Sequence, residues 1–133
     1  MIPRFPIPTF LVTALILVAV SLPGSSLPDA PGIPGLDKMV HCILFLMLAV
    51  GVQLDFNPTG ARQLLLAAAL ALAFSALTEA IQLFVDGRSS ELVDMIADMA
   101  GFLVGLAARR PLASLALKCY ARAARTFRRR GES

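Results

Sequence analysis

The polar chemistry of this chain is concentrated in a few side chains that lie in or beside strongly apolar segments. They are Asp37, Lys38, His41, Glu79, Gln82, Arg88, Asp94 and Asp98. Ionisable groups are costly in hydrocarbon, so those in membrane-spanning segments usually face the interior of a helix bundle and serve a function. A histidine among carboxylates can exchange protons, and lysine and arginine can hold phosphate. The sequence therefore predicts a polar site for ligand binding or acid–base chemistry.

The spacing of these residues groups them on three helix faces. The faces are Asp37 with His41, Ser75 with Glu79 and Gln82, and Glu91 with Asp94 and Asp98. Side chains three or four residues apart lie on the same side of a helix. Each group stands near one end of an apolar segment, and we expect the three groups to meet at a similar depth in the membrane.

Two roles are predicted for this polar site. His41, oriented by Asp37, would act as a general base and Glu79 as an acid, so these three are the candidate catalytic residues. The candidate ligand-binding residues are Lys38, Gln82, Arg88, Asp94 and Asp98. A metal site built from His41, Glu79, Asp94 and Asp98 is conceivable, but one histidine among carboxylates is a weak set of zinc ligands, so no metal or other cofactor is predicted.

Simpler interpretations of the same residues stay open. Asp37 and Asp94 could cap helices or interact with helix dipoles. His41 could be a hydrogen-bonded residue of the core. Lys38 could extend its ammonium group to the lipid headgroups.

The composition makes lipid the expected solvent. Hydrophobic residues make up 57% of the 133 residues and charged residues only 16%. The apolar segments are Phe5–Leu22, Leu36–Leu54, Ala61–Val85 and Glu91–Ala108. A helix needs about 20 apolar residues to cross a hydrocarbon core of about 30 Å. The sequence therefore predicts an all-α integral membrane bundle of four transmembrane helices over residues 1–108, followed by a basic tail over 109–133.

The distribution of basic residues predicts the orientation. Eight of the twelve lysines and arginines follow Ala108. The positive-inside rule then places both termini in the cytoplasm and the polar site at the outer leaflet. The first segment has a second interpretation as a cleaved signal peptide, because Arg4, a short apolar run and Ala19-Val20-Ser21 match its three regions. A retained first helix is simpler, since the rest of the chain is also apolar.

The tail and the glycines suggest further contacts. Residues 111–130 could form a basic amphipathic helix on the inner membrane surface or a solvated tail, and nucleic acid is not an expected partner. Gly101 and Gly105 are four apart, a spacing that lets helices approach closely. We expect this face to pack within the chain, while a homo-oligomer stays open. Cys42 and Cys119 predict no disulfide.

Four pieces of the sequence also resemble the VanZ-like family. The pieces are Asp37-Lys38-x-x-His41-x-x-x-Phe45, Glu79-x-x-Gln82, Gly87-Arg88-Ser89 and Asp94-x-x-x-Asp98-x-x-Gly101-x-x-x-Gly105. The resemblance covers Leu36 to Leu106. It implies a small multi-pass protein of the bacterial inner (cytoplasmic) membrane, from a family named for a member linked to low-level teicoplanin resistance. The family commonly has asparagine where this chain has Asp98. The resemblance implies no reaction.

Several functions fit these observations. We predict an envelope protein whose outer-leaflet pocket binds a lipid-linked or headgroup-bearing ligand and contributes to glycopeptide (teicoplanin) resistance, with membrane lipids as its partners. The alternatives are an intramembrane enzyme that uses His41 and Glu79 on an envelope lipid, a proton-coupled transporter, and a structural module that packs helices against a partner.

Overall fold

A computed structural model describes residues 5–23, 35–88 and 90–108. All regular structure in these residues is helical, with α1 (Ile7–Ser21), α2 (Leu36–Phe56), α3 (Ala61–Gln82) and α4 (92–108). The described part of the chain contains no strand, and the all-α prediction is confirmed. The predicted basic tail at 109–133 lies outside the described residues.

Two of the helices are long and apolar enough to cross a membrane. They are α2, with 21 residues, and α3, with 22. α1 has 15 residues, fewer than the roughly 20 that a full crossing needs. Large apolar side chains on α3, such as Leu65, Leu70 and Leu77, are exposed, as expected of a helix that contacts lipid. Four crossings and the placement of the termini stay predictions.

Glycines bring α4 against α2. A Cβ atom built at Gly101 would overlap the backbone carbonyl group of Cys42, and one at Gly105 would lie 2.6 Å from the Cβ of Ala49. The side-chain amide of Gln53 donates a 2.7 Å hydrogen bond to the carbonyl of Gly105. The predicted packing of the glycine face within the chain is confirmed, because both glycines contact α2 of the same chain.

The start of α1 is attached to the end of α2. The backbone N–H of Thr9 donates to the Asp55 carboxylate at 2.8 Å. No side chain of α1 caps its own N-terminus, where Pro6 and Pro8 stand. Asp55 therefore satisfies a donor that helix geometry leaves free, and its negative charge lies at the positive end of the helix dipole. Gly51 allows this approach, since its α-carbon faces the backbone of Pro8 and Thr9.

The interior of the described residues has an apolar half and a polar half. The buried apolar side chains include Phe45, Leu48 and Phe102, beside a cavity of about 510 Å³. The buried polar side chains are His41, Ser75, Thr78, Glu79, Gln82, Asp94 and Asp98. These polar residues lie where α2 and α4 begin and α3 ends, and the fold therefore places them in one layer.

Candidate functional site

We call this layer the polar end: the first turns of α2, the last turns of α3, and the chain from Leu83 to Asp98. α2 and α4 start here and α3 finishes here, so residues far apart in sequence become neighbours. All eight predicted site residues lie at the polar end. The backbone of Cys42, next to His41, packs against Gly101.

His41 is held by Asp98 on α4. Its Nδ1 atom lies 3.0 Å from Oδ1 of Asp98, and both side chains are buried. The hydroxyl of Ser75 donates to the second carboxylate oxygen, Oδ2, at 2.6 Å. Toward an ionised carboxylate, which only accepts hydrogen bonds, Nδ1 carries the proton, and in the neutral imidazole the other ring nitrogen is then an acceptor. Asp98 therefore has the orienting position that the sequence assigned to Asp37.

Glu79 links α3 to the start of α4. Its Oε2 atom accepts a 2.9 Å hydrogen bond from the backbone N–H of Glu91. The first N–H groups of a helix have no partner within it, and Glu79 satisfies one of them. Its other oxygen, Oε1, is buried and accepts no hydrogen bond within the described residues, and the amide nitrogen of Gln82 donates none.

Lys38 connects α2 to α4. Its ammonium group lies 2.9 Å from Glu91 and 3.2 Å from Asp94. Asp94 is buried, whereas the side chains of Lys38 and Glu91 are 36% and 47% exposed. Lys38 thus links α2 to α4 at the exposed side of the polar end, and its ammonium group neutralises the buried carboxylate of Asp94.

Arg88 holds the end of α1. Its guanidinium group donates to the carbonyl oxygens of Ala19, at 3.4 Å, and Leu22, at 3.5 Å. It also lies 3.3 Å from the carboxylate of Asp37. The last carbonyls of a helix lack partners and carry partial negative charge, which a cation stabilises. Arg88 therefore has a structural role that the sequence did not indicate.

The interpretation of Asp37 as a hydrogen-bonding cap of α2 is not supported, whereas an interaction of its charge with the helix dipole fits its position in the first turn. α2 begins after Gly35 and shows no side-chain cap, although Asp37 lies in its first turn. The carboxylate of Asp94 is engaged by Lys38 on another helix. Both residues join separate parts of the chain.

The polar end carries more negative than positive groups. Its carboxylates are Asp37, Glu79, Asp86, Glu91, Asp94 and Asp98, and its lysine and arginine are Lys38 and Arg88. Both bases already contact carboxylates. A ring nitrogen of His41 and one oxygen each from Glu79 and Asp98 lie within 4.8 Å of one another, and Asp37, His41 and Asp94 form a second such group. The buried part of the polar end favours a cationic or hydrogen-bond-donating ligand. At the rim, by which we mean the pairs of Lys38 with Glu91 and of Arg88 with Asp37, the basic side chains could exchange a carboxylate for a ligand.

Sequence reasoning left Ser75 and Glu91 out of the site, although both belong to its polar faces. Ser75 precedes Glu79 by four residues, and Glu91 precedes Asp94 by three. That spacing was the signal in the sequence that could have identified both residues as part of the site. Their contacts with Asp98 and Glu79 depend on how the helices pack against each other.

Comparison with known families agrees with the motifs. The model of the VanZ/LLP1 family matches residues 7–113, a range that contains all four helices and the whole polar end. No curated protein and no solved structure gives a significant match. The match confirms the resemblance that the motifs indicated.

Proposed function

Because the chain belongs to the VanZ/LLP1 family and is thus a VanZ-type envelope protein, we propose that its polar end binds the headgroup of a lipid or of a lipid-linked envelope ligand. The observation that carries this proposal is the pairing of two basic side chains with exposed carboxylates above a buried polar layer. Lys38 contacts Glu91, and Arg88 contacts Asp37.

The rim pairs can exchange partners at low cost. The side chain of Asp37 is 51% exposed and that of Glu91 47% exposed. Exposed ion pairs such as Lys38 with Glu91 contribute little to stability, since water screens them, and the exposed Asp37 can leave while the less exposed Arg88 (12%) keeps its bonds to the backbone of α1. A phosphate group could therefore replace either carboxylate, and arginine would bind it through paired donors.

The buried layer supplies specificity for the rest of the headgroup. Oε1 of Glu79 and the amide nitrogen of Gln82 are buried without hydrogen bonds in the described residues. An unpaired buried polar atom costs about 1–3 kcal/mol, which a ligand hydroxyl or amine could recover. A headgroup with a phosphate group for the rim and a hydroxyl or amine group for the buried layer fits the site.

The proposed orientation puts this site at the outer leaflet of the inner membrane, with both termini in the cytoplasm. The basic residues after Ala108 support it through the positive-inside rule. A ligand there would be exposed to the envelope, and its retention by the protein would alter sensitivity to glycopeptides such as teicoplanin. A reporter of periplasmic exposure fused after Ser133 should stay silent; a signal would contradict the orientation.

A second candidate function is acid–base catalysis on the bound lipid. Its support is the buried contact of His41 with Asp98, which leaves one ring nitrogen able to take a proton from a ligand hydroxyl. Glu79, on the facing helix, is the candidate acid.

The test is to purify the protein in a mild detergent and identify the lipids that remain bound by native mass spectrometry. We expect a phosphate-bearing lipid that is lost in Arg88→Ala and reduced in Arg88→Lys. Arg62→Ala is the matched control, because Arg62 lies at the opposite end of α3 and is exposed. Equal lipid retention by Arg88→Ala and the wild type would overturn the proposal.

A comparison of the lipids in cells separates binding from catalysis. Cells with the wild type and cells with Glu79→Gln are analysed beside cells that lack the protein. A lipid species whose amount depends on Glu79 supports the enzyme, whereas unchanged lipids with altered teicoplanin sensitivity support binding.

A further inference from the structure

We propose that His41, Glu79 and Asp98 form a divalent-cation site inside the helix bundle. The three residues come from α2, α3 and α4, and one ligand atom from each lies within 4.8 Å of the others. The site shares Glu79 with the buried layer that is proposed to contact the headgroup, but it rests on its own geometry and does not depend on lipid binding at Lys38 and Arg88.

The geometry is close to what a metal requires. Ligand atoms around a metal at about 2.1 Å are roughly 3.4 Å apart in a tetrahedron. The pair formed by His41 and Asp98 already lies at 3.0 Å. Side-chain movements of about 1 Å would bring Glu79 to the same range, given that its carboxylate is within 4.8 Å.

An unpartnered carboxylate oxygen points independently to a missing ligand. Glu79 is 4% exposed, and its Oε1 accepts no hydrogen bond from the described residues. Its Oε2 is held by the backbone N–H of Glu91 at 2.9 Å. Rotation of the carboxylate would only leave Oε2 without a hydrogen bond in place of Oε1, so the described residues offer one partner for two buried oxygens.

The supporting hydrogen bonds also fit a metal site. Ser75 donates to Oδ2 of Asp98, which leaves Oδ1 directed at His41. The backbone of Glu91 orients Glu79 in the same way. Metal ligands are commonly fixed by such outer hydrogen bonds, and these partners contribute to affinity.

Charge supplies the third reason. Glu79 and Asp98 are buried; His41 lies 3.0 Å from Asp98, and among the described residues no lysine or arginine forms an ion pair with either carboxylate. A buried charge without compensation is strongly destabilising. A divalent cation would compensate both carboxylates and displace the proton between His41 and Asp98.

The donor set indicates a class of metal. One imidazole and two carboxylates suit Mn²⁺, Fe²⁺ or Zn²⁺, and three protein ligands leave positions open for water or a ligand oxygen. The sequence already made Glu79 and Asp98 conceivable metal ligands beside His41, and the structure shows that both carboxylates are buried and lie near the histidine on two other helices.

The experiment uses the full chain purified in detergent with a tag that contains no histidine and stripped with a chelator. Mn²⁺ and Zn²⁺ are titrated in, and bound metal is measured after gel filtration. We expect one tightly bound ion per chain and a rise in the thermal unfolding midpoint. Affinity should fall at least tenfold in Glu79→Gln and in Asp98→Asn, and it should be unchanged in Asp86→Asn, which removes an exposed carboxylate beside the site.

The single histidine of the chain permits a decisive second measurement. Pulsed electron paramagnetic resonance of bound Mn²⁺ should show coupling to one imidazole nitrogen, which must come from His41. No binding by the wild type, binding without nitrogen coupling, or wild-type affinity in both Glu79→Gln and Asp98→Asn would each overturn the proposal. The wild-type measurements decide the question even if a variant does not fold. They involve no lipid, so failure of the headgroup proposal would leave them unaffected.

Discussion

Along the interface of α2 and α4, one half packs glycine against backbone and the other half pairs buried charged side chains. At Gly101 and Gly105 the helices are so close that no side chain fits between them. One turn before Gly101, Asp98 reaches across to His41 at 3.0 Å. The first half depends on shape and the second on charge. The difference suggests that the glycine contact sets the distance between α2 and α4, and that this distance allows Asp98 to reach His41.

The largest effect is expected from filling the glycine contact. Gly101→Leu should lower the free energy of unfolding by about 3 kcal/mol or more, because overpacking against fixed backbone forces the helices apart. Unfolding in detergent measures the loss. Gly60→Ala is the control, since a Cβ there has its nearest neighbour at 3.8 Å. Unchanged stability of Gly101→Leu, with loss of a crosslinked dimer, would instead place the glycine face between two chains.

A double-mutant cycle tests the charged half. Asp98→Ala should cost about 3 kcal/mol, since it leaves His41 and Ser75 without their shared acceptor. The double variant with His41→Ala should lose less than the sum of the single losses, with a coupling of about 1–3 kcal/mol. Unfolding of all four proteins in one detergent gives the coupling, and strict additivity would mean that the two residues do not interact.

The same cycle on His41 and Glu79 tests a contact between two of the polar groups that the sequence predicted to meet. The two residues face each other within 4.8 Å, but the hydrogen bond of His41 goes to Asp98. We expect a coupling of about 1 kcal/mol or less without added metal. A coupling larger than that between His41 and Asp98 would make Glu79 the main partner of His41.

A smaller effect is expected at the end of α1. Arg88→Lys should lower the free energy of unfolding by about 1 kcal/mol, because an ammonium group cannot reach two carbonyls and Asp37 together. Arg62→Ala should leave it unchanged. Full stability of Arg88→Lys, together with lost lipid retention, would show that Arg88 serves the ligand more than α1.

The smallest effect is expected at the exposed rim. Glu91→Gln keeps the backbone N–H that binds Glu79 and removes only the charge opposite Lys38. The unfolding midpoint should stay close to that of the wild type, because water screens exposed pairs. A large loss would contradict the view that the rim pairs can exchange partners.

Much of the fold follows from local pattern. The apolar segments predicted the helices to within a few residues, and the clearest difference is the end of α3, predicted at Val85 and found at Gln82. The backbone turns after Gln82, and Gly87 adopts a positive φ of 76°, which a non-glycine residue rarely accepts. Apolar composition continues through such a turn, so hydropathy alone could not locate it.

Pairing within the site could be predicted only in part. Spacing placed Asp37 with His41, and Glu79 with Gln82, on common helix faces. The order of the segments then indicated that these faces lie at the same end of the bundle. The partners of His41 and Arg88 did not follow. Which side chains meet between two helices depends on the rotation of each helix about its axis and on its depth in the bundle, and local sequence does not encode either.

The sequence by itself determined that the chain is helical, that apolar segments alternate with polar ends, and that carboxylates surround a single histidine. These properties depend on composition and on the helical period, which act within one segment. Only the tertiary structure decided that Asp98 binds His41, that Arg88 holds the last carbonyls of α1, and that one oxygen of Glu79 is buried with no hydrogen bond from the described residues. Each of these depends on packing between helices. The close approach of the helices at the glycines brings together charged groups that are distant in sequence.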